Sequence, residues 1–293
     1  MGLLSASDAV ATVVFHRTGT DRIVAASDDG SHARTVARGR AALLAPRGGL
    51  IAVAGDLSSS SGLPELRLES VHRGVHRLLM RDAVSAAWSP DGRQLAVGDG
   101  GNGDGFLFDL ARRRRRDLDL FTFSGGPSFS PDGHHLAIAV SPELDRTEIR
   151  IYVAGIDAGN HSRWFARGTD PVWGRGGIAF RGPNNGLRLK PKRGAKSRPL
   201  THTHGGVYPI CWSKKGDKLL FQEDVLRGPT LARIVSPSSG RIVTLPQDFD
   251  EIDALSRDGR RVLGVVEGNV VSTTATGHMT VLARHADSPS WDH

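Results

Sequence analysis

The chain of 293 residues has one cysteine, Cys211, so it can form no internal disulfide and has no thiolate pair for zinc. It has no apolar run near the ~20 residues that a membrane-spanning helix needs. Met1-Gly2-Leu3-Leu4-Ser5-Ala6-Ser7 lacks a basic start and a long apolar core, so no signal peptide is visible; a chain trimmed of its leader would look the same. There is no G-x-S-x-G, no H-E-x-x-H, no P-loop and no paired-cysteine motif. These absences lower the odds of catalysis, although loops far apart in sequence can still build a site. Long amphipathic helices are lacking too. With 36 glycines, 15 prolines and 39% apolar residues, the composition suits many short strands joined by turns.

What the chain does have is a repeat. Ala86-Ala87-Trp88-Ser89-Pro90-Asp91-Gly92-Arg93-Gln94-Leu95-Ala96-Val97 reads as strand, tight turn, strand. Ser130-Pro131-Asp132-Gly133, Ser213-Lys214-Lys215-Gly216 and Ser256-Arg257-Asp258-Gly259 repeat the turn, and Ala45-Pro46-Arg47-Gly48 and Gly174-Arg175-Gly176-Gly177 are degraded copies. The first apolar residues after each turn are Val13, Ile51, Leu95, Leu136, Ile178, Leu219 and Val262, spaced 38 to 44 residues apart. A period near forty with strand patterning predicts an all-β propeller of four-stranded blades. The C-terminal Ser288-Pro289-Ser290-Trp291 is a first strand with nothing after it, and the N-terminus lacks a first strand. The two ends therefore predict one composite blade and seven blades in all, with six as the alternative if a degraded unit is no blade. Residues 1–9 read as an extension and 10–293 as a single propeller domain.

The P-x-W-S-P-D-G-x-x-L-A pattern, with strands such as Ile151-Tyr152-Val153 and the turn Ser27-Asp28-Asp29-Gly30, resembles the WD40-like TolB propeller repeats. Better-known members carry six blades and an extra N-terminal domain, and no such domain fits this chain. The Gly-His and Trp-Asp signature of true WD40 repeats is missing. The resemblance implies non-catalytic recognition of a protein or peptide, outside the cytoplasm. The rival reading is a propeller hydrolase or lyase with its site at the channel mouth.

Trp88, Trp173, Trp212 and Trp291 all fall just before a turn, in the slot held elsewhere by Leu44, Phe129 and Leu255. A residue recurring in every blade serves what every blade needs, so these are expected to pack between blades. Gly98-Asp99-Gly100-Gly101-Asn102-Gly103 matches a nucleotide fingerprint on paper, but a strand follows instead of a helix, which rejects it. A calcium loop at Asp99, Asn102 and Asp104 is the sharper reading, set against an ordinary hairpin, and no cofactor is expected. His202 and His204 could form a metal pair but read as a solvated loop, and His134-His135 reads as surface.

Net charge is +7. Arg112, Arg113, Arg114, Arg115 and Arg116 form one run, and Lys190, Lys192, Arg193, Lys196 and Arg198 a second cluster. Both are placed in third-to-fourth strand connections, two blades apart, on the face of the Ser-Pro-Asp-Gly turns. That face suits an anionic protein partner; no specific nucleic-acid recognition is expected, and the chain is expected to be a monomer. Asp82, Asp170, Tyr208, Asp250, Asp253 and Asp287 precede or begin first strands, which places them at the channel rim, able to hold a cation or meet a basic peptide.

Overall fold

Each turn of the repeat joins the first and second strands of one antiparallel sheet. The computed structural model describes residues 12–46, 49–55, 65–71, 77–99, 105–118, 126–140, 148–156, 162–201, 206–225, 230–256 and 258–291. These residues form 28 strands in seven four-stranded sheets, so both degraded units are blades and the six-bladed alternative falls. The predicted extension, residues 1–9, lies outside the described residues.

The first blade holds β1 (Thr12–Arg17), β2 (Arg22–Ser27) and β3 (Arg34–Arg38). The second holds β4 (Ala41–Leu44), β5 (Leu50–Ala54), β6 (Leu66–Ser70) and β7 (Arg77–Met80). The third holds β8 (Ala83–Trp88), β9 (Gln94–Asp99), β10 (Gly105–Asp109) and β11 (Arg114–Leu118). In the fourth are β12 (Ser128–Phe129), β13 (His135–Val140), β14 (Arg150–Gly155) and β15 (Ser162–Arg167). In the fifth are β16 (Thr169–Gly174), β17 (Gly177–Arg181), β18 (Leu187–Lys190) and β19 (Arg198–Pro199). The sixth holds β20 (Gly206–Trp212), β21 (Leu219–Asp224), β22 (Thr230–Val235) and β23 (Ile242–Thr244). The seventh holds β24 (Glu251–Leu255), β25 (Arg261–Val266), β26 (Asn269–Thr274) and β27 (Met279–Arg284). Finally β28 (Ala286–Trp291) returns to the first blade, as its innermost strand.

Second strands carry an unbroken apolar run because their middles are covered on both faces. In β13, Leu136 and Ile138 pack with Leu107 and Ala96 of the blade before. Ala137 and Ala139 pack with Ile178 and Phe180 of the blade after. Strand alternation thus sends large residues one way and small ones the other, so neighbouring blades interdigitate. Fully burying a side chain such as Ile138 is worth roughly 1.5–3 kcal/mol.

The turn residues explain the motif. Ser130 Oγ donates to Asp132 Oδ1, and that carboxylate accepts the backbone N–H of His134 at 2.9 Å. Gly133 has φ +76°, the left-handed conformation that closes the turn at no side-chain cost. Ser89 and Ser256 hold Asp91 and Asp258 in the same way, at 2.7 and 2.6 Å. In Ser213-Lys214-Lys215-Gly216 the acid is missing from its usual place, and Asp217, one residue past the glycine, accepts from Ser213 at 2.7 Å instead. The serine hydroxyls hold Asp132, Asp217 and Asp258 below the usual carboxylate range.

Ring closure is as the sequence predicts. In β28, Trp291 pairs with Val13 and Ser290 with Val14 of β1. Asp287 Oδ1 accepts from His16 Nδ1 at 2.8 Å across 271 residues of sequence. Trp291 is 4% exposed although it stands near the end of the chain.

Two outcomes follow from these contacts. Deleting residues 286–293 should leave β1 as an open sheet edge, giving aggregation in size-exclusion chromatography and a sharply lower melting temperature. In Ser130→Ala, the Asp132 pKa should rise toward the ordinary carboxylate value in a carboxyl NMR titration. A depressed folded pKa contributes stability that is present above the unfolded pKa and lost as pH falls through the folded value. The variant should therefore lose part of the protein's resistance to acid.

Candidate functional site: the central channel

All seven innermost strands, β4, β8, β12, β16, β20, β24 and β28, border one cavity of about 780 Å³ on the ring axis. Its wall is aromatic: Trp88, Phe129, Trp173, Trp212 and Trp291 all reach it from the slot before the turn. The tryptophans do pack between blades, as expected, and they also face the channel. At the mouth on the turn side, Pro46, Pro90, Pro131, Arg175 and Lys214 occupy equivalent positions two residues past the slot. Every innermost strand runs toward that mouth, so Glu251 and Asp253 lie farther down the channel in β24.

Adjacent innermost strands are joined by a recurring polar contact. Trp88 donates Nε1–H to the Leu43 carbonyl at 3.0 Å, and Trp212 donates to Val172 at 2.9 Å. At three other junctions the contact comes from the residue before the slot. Ser128 accepts the Trp173 N–H at 2.9 Å, Cys211 the Leu255 N–H at 3.2 Å and Ser290 the Leu44 N–H at 3.1 Å. Desolvation pushes the half-buried Cys211 thiol up to about 12, so it is a poor nucleophile and serves here as an acceptor. The junction of β24 with β28 differs. There the Ser288 N–H donates to Glu251 Oε2 at 3.0 Å, while Trp291 Nε1 and Asp253 Oδ2 are buried with no hydrogen-bond partner among the described residues. Burial first, then the Glu251 charge, raises the Asp253 carboxyl well above its usual range.

The six residues predicted for the rim are dispersed. Of these, only Asp253 borders the cavity. Asp82 stands just before β8 with φ +63°, and Asp170, with φ +53°, accepts from Thr169 Oγ1 at 2.7 Å. The Arg181 guanidinium covers the Tyr208 ring at 4.5 Å. Asp250 accepts the Gly268 N–H at 3.0 Å, and Asp287 is held by His16 and by Thr18 Oγ1 at 3.1 Å. Sequence reasoning missed Glu251, two residues before Asp253; its spacing was the available signal.

The basic clusters are also redistributed. Arg112 and Arg113 occupy the turn between β10 and β11, but Arg114, Arg115 and Arg116 are in β11 itself, a strand and not a loop. Arg112 pairs with Asp109 at 3.0 Å, beside a smaller cavity of about 340 Å³ that Asp91 and Asp132 also line. Arg115 pairs with Asp117 at 2.6 Å and stacks on the Phe106 ring at 4.3 Å. For Arg113, Arg114 and Arg116 no ion pair is found among the described residues. Lys190 does not join the surface: it is 8% exposed, its ammonium donates to the Phe165 carbonyl, and burial lowers its pKa. Lys192, Arg193 and Lys196 are exposed in the turn after β18, and Arg198 donates to the Pro237 carbonyl at 2.7 Å.

Residues 100–104 of the calcium reading, and His202 and His204, lie outside the described residues. Among the described residues no group of three or more His, Cys, Asp or Glu is placed to hold a metal ion. His134 and His135 are exposed at the turn exit, as expected. No described helix is long and apolar enough to cross a membrane.

No family model matches the chain. Over 62 residues it is 39% identical to the Tol-Pal system protein TolB of Alcanivorax borkumensis, a match spanning 20% of this chain and 14% of that protein. The fold is similar to TolB from Acinetobacter baumannii (TM-score 0.62, 16% identity), covering 96% of this chain and 66% of that one. It is also similar to a puromycin-hydrolyzing peptidase of Mycobacterium tuberculosis (TM-score 0.70, 16% identity), covering 96% of this chain and 52% of that one. The resemblance to TolB seen in the repeats thus extends to the whole ring, and the same ring also occurs in an enzyme.

The junction contacts make a comparison possible. Trp88→Phe removes a hydrogen bond and Trp291→Phe removes none, while both rings are buried. Chemical denaturation should therefore show Trp88→Phe costing about 1 kcal/mol more than Trp291→Phe.

Proposed function

We propose that this propeller is a non-catalytic recognition module that takes a segment of a protein or peptide into its central channel, and that it works outside the cytoplasm. The observation that carries this reading is the channel itself. A cavity of about 780 Å³ with tryptophan and proline walls, and charged groups confined to a few positions, suits an extended chain that buries apolar side chains and satisfies a few polar ones. The 62-residue match to TolB and the shared ring support the reading, as does the extracytoplasmic address that the family resemblance implies. The exposed Arg113 and Arg114 and the half-buried Arg116, with Lys192, Arg193 and Lys196, are assigned to the outer part of the same partner, where it is acidic.

The rival reading is a propeller hydrolase or lyase. It draws support from one feature, the buried Asp253 carboxyl with its raised pKa, since such a group can act as a general acid near neutral pH.

Selection of displayed peptides against the intact protein tests recognition. Selected peptides should quench tryptophan fluorescence, compete with one another and bind much more weakly to Trp173→Ala. Peptides that bind Trp173→Ala and the parent equally would move recognition away from the channel. For the outer surface, replacing Arg113, Arg114 and Arg116 with Ser should weaken binding of an acidic partner at low salt and leave the melting temperature nearly unchanged. The difference should shrink near 0.15 M salt, where exposed charges are screened beyond about 8 Å. Equal binding at low salt would remove the arginines from the interface.

A further inference from the structure

The junction of β24 with β28 is where the polar bookkeeping of the channel fails. Trp88 and Trp212 find a carbonyl on the preceding blade, but Trp291, the most buried of the three, does not. Beside that junction, Asp253 Oδ2 is buried without a partner, and Glu251 spends one oxygen on the Ser288 N–H. The buried indole donor loses its hydration and gains no partner, while the Asp253 carboxyl has only the neighbouring Glu251 carboxyl to share a proton with. Both residues border the channel, so a molecule inside it lies against these two side chains.

The geometry points to a subsite for a basic side chain of a bound peptide, an ammonium or guanidinium held by Glu251 and Asp253 while Trp291 Nε1 donates to a carbonyl of the same peptide. This rests on the peptide-recognition reading above and names the chemistry of one subsite within it. Two carboxyl groups on one strand disfavour each other's charge, and a cation between them relieves that repulsion. The tryptophan walls add their own attraction for a cation. The neighbouring arginine is already engaged: Arg261 lies over the Trp291 ring at 5.5 Å and donates to Asp28 at 3.0 Å. A metal ion is the poorer fit, because no third His, Cys, Asp or Glu among the described residues completes a site. The chain's net charge of +7 repels a cationic peptide everywhere else, so binding of one requires a local acidic site.

The probe is capped triarginine, with capped tricitrulline as its neutral isostere and capped triglutamate as the opposite charge. Titration into the full chain, followed by tryptophan fluorescence and calorimetry, should give saturable binding of triarginine at least about tenfold tighter than tricitrulline, as a charge-assisted hydrogen bond implies. Asp253→Asn should bring triarginine down to the tricitrulline level. Glu251→Gln should do the same and keeps the test alive if the first variant does not fold. Trp291→Phe should weaken both uncharged and charged probes, because it removes the donor to the backbone. Asp117→Asn, on the outer surface, should change nothing. The inference is overturned if triarginine fails to bind, if tricitrulline binds equally well, or if the acidic-pair variants bind triarginine as the parent does. In the last two cases, or if triglutamate binds best, peptide recognition stands and only the cationic subsite falls. Failure of the displayed-peptide selection would instead remove the recognition reading itself.

Discussion

The pairing of β28 with β1 is the contact on which the rest depends. Trp291 opposite Val13 and Ser290 opposite Val14 turn an open row of seven sheets into a ring. Without that pairing the first blade has no innermost strand, the channel has no closed wall, and β1 exposes its backbone to other molecules. The loop it closes is almost the whole chain, but closure entropy grows only with the logarithm of loop length. Burial of Trp291, the Ser290 contact to Leu44 and the Asp287 contact to His16 all act on one short strand. The strand that closes the ring also supplies the unpaired indole of the channel.

The blades are alike in backbone and unlike in how they are joined. Two junctions use a serine hydroxyl, one a thiol and two a tryptophan N–H, and each solution depends on which residue stands in or just before the slot. At β24 and β28 the recurring contact gives way to a backbone N–H bonded to Glu251, and the indole of the slot is left without a partner. The ring would hold better with that indole satisfied.

Much of the fold was legible. The seven apolar residues used to measure the repeat all fall in second strands, and each is buried to within 1% of full burial, because a strand covered on both faces must be apolar throughout. The turns were legible because glycine and aspartate at fixed offsets have backbone consequences. The site was much less so. Five of the innermost strands carry a register irregularity, among them β24 between Ile252 and Ala254 and β28 between Asp287 and Ser290. One extra residue reverses which way the next side chain points, so an acid near the start of such a strand cannot be aimed by counting in twos. That is why one rim residue of six borders the channel. Lys190 was misread because charge alone places lysine outside, yet its ammonium lies over the Trp164 and Phe165 rings and finds a carbonyl.

Backbone amide exchange, followed by mass spectrometry on the intact protein, tests the closed ring most directly. Closure predicts that the segment 286–291 is protected as strongly as the second strands β13 and β21, because its amides open only when the whole ring does. Exchange of that segment within seconds, with the other strands still protected, would show a ring open between its ends and would contradict the account.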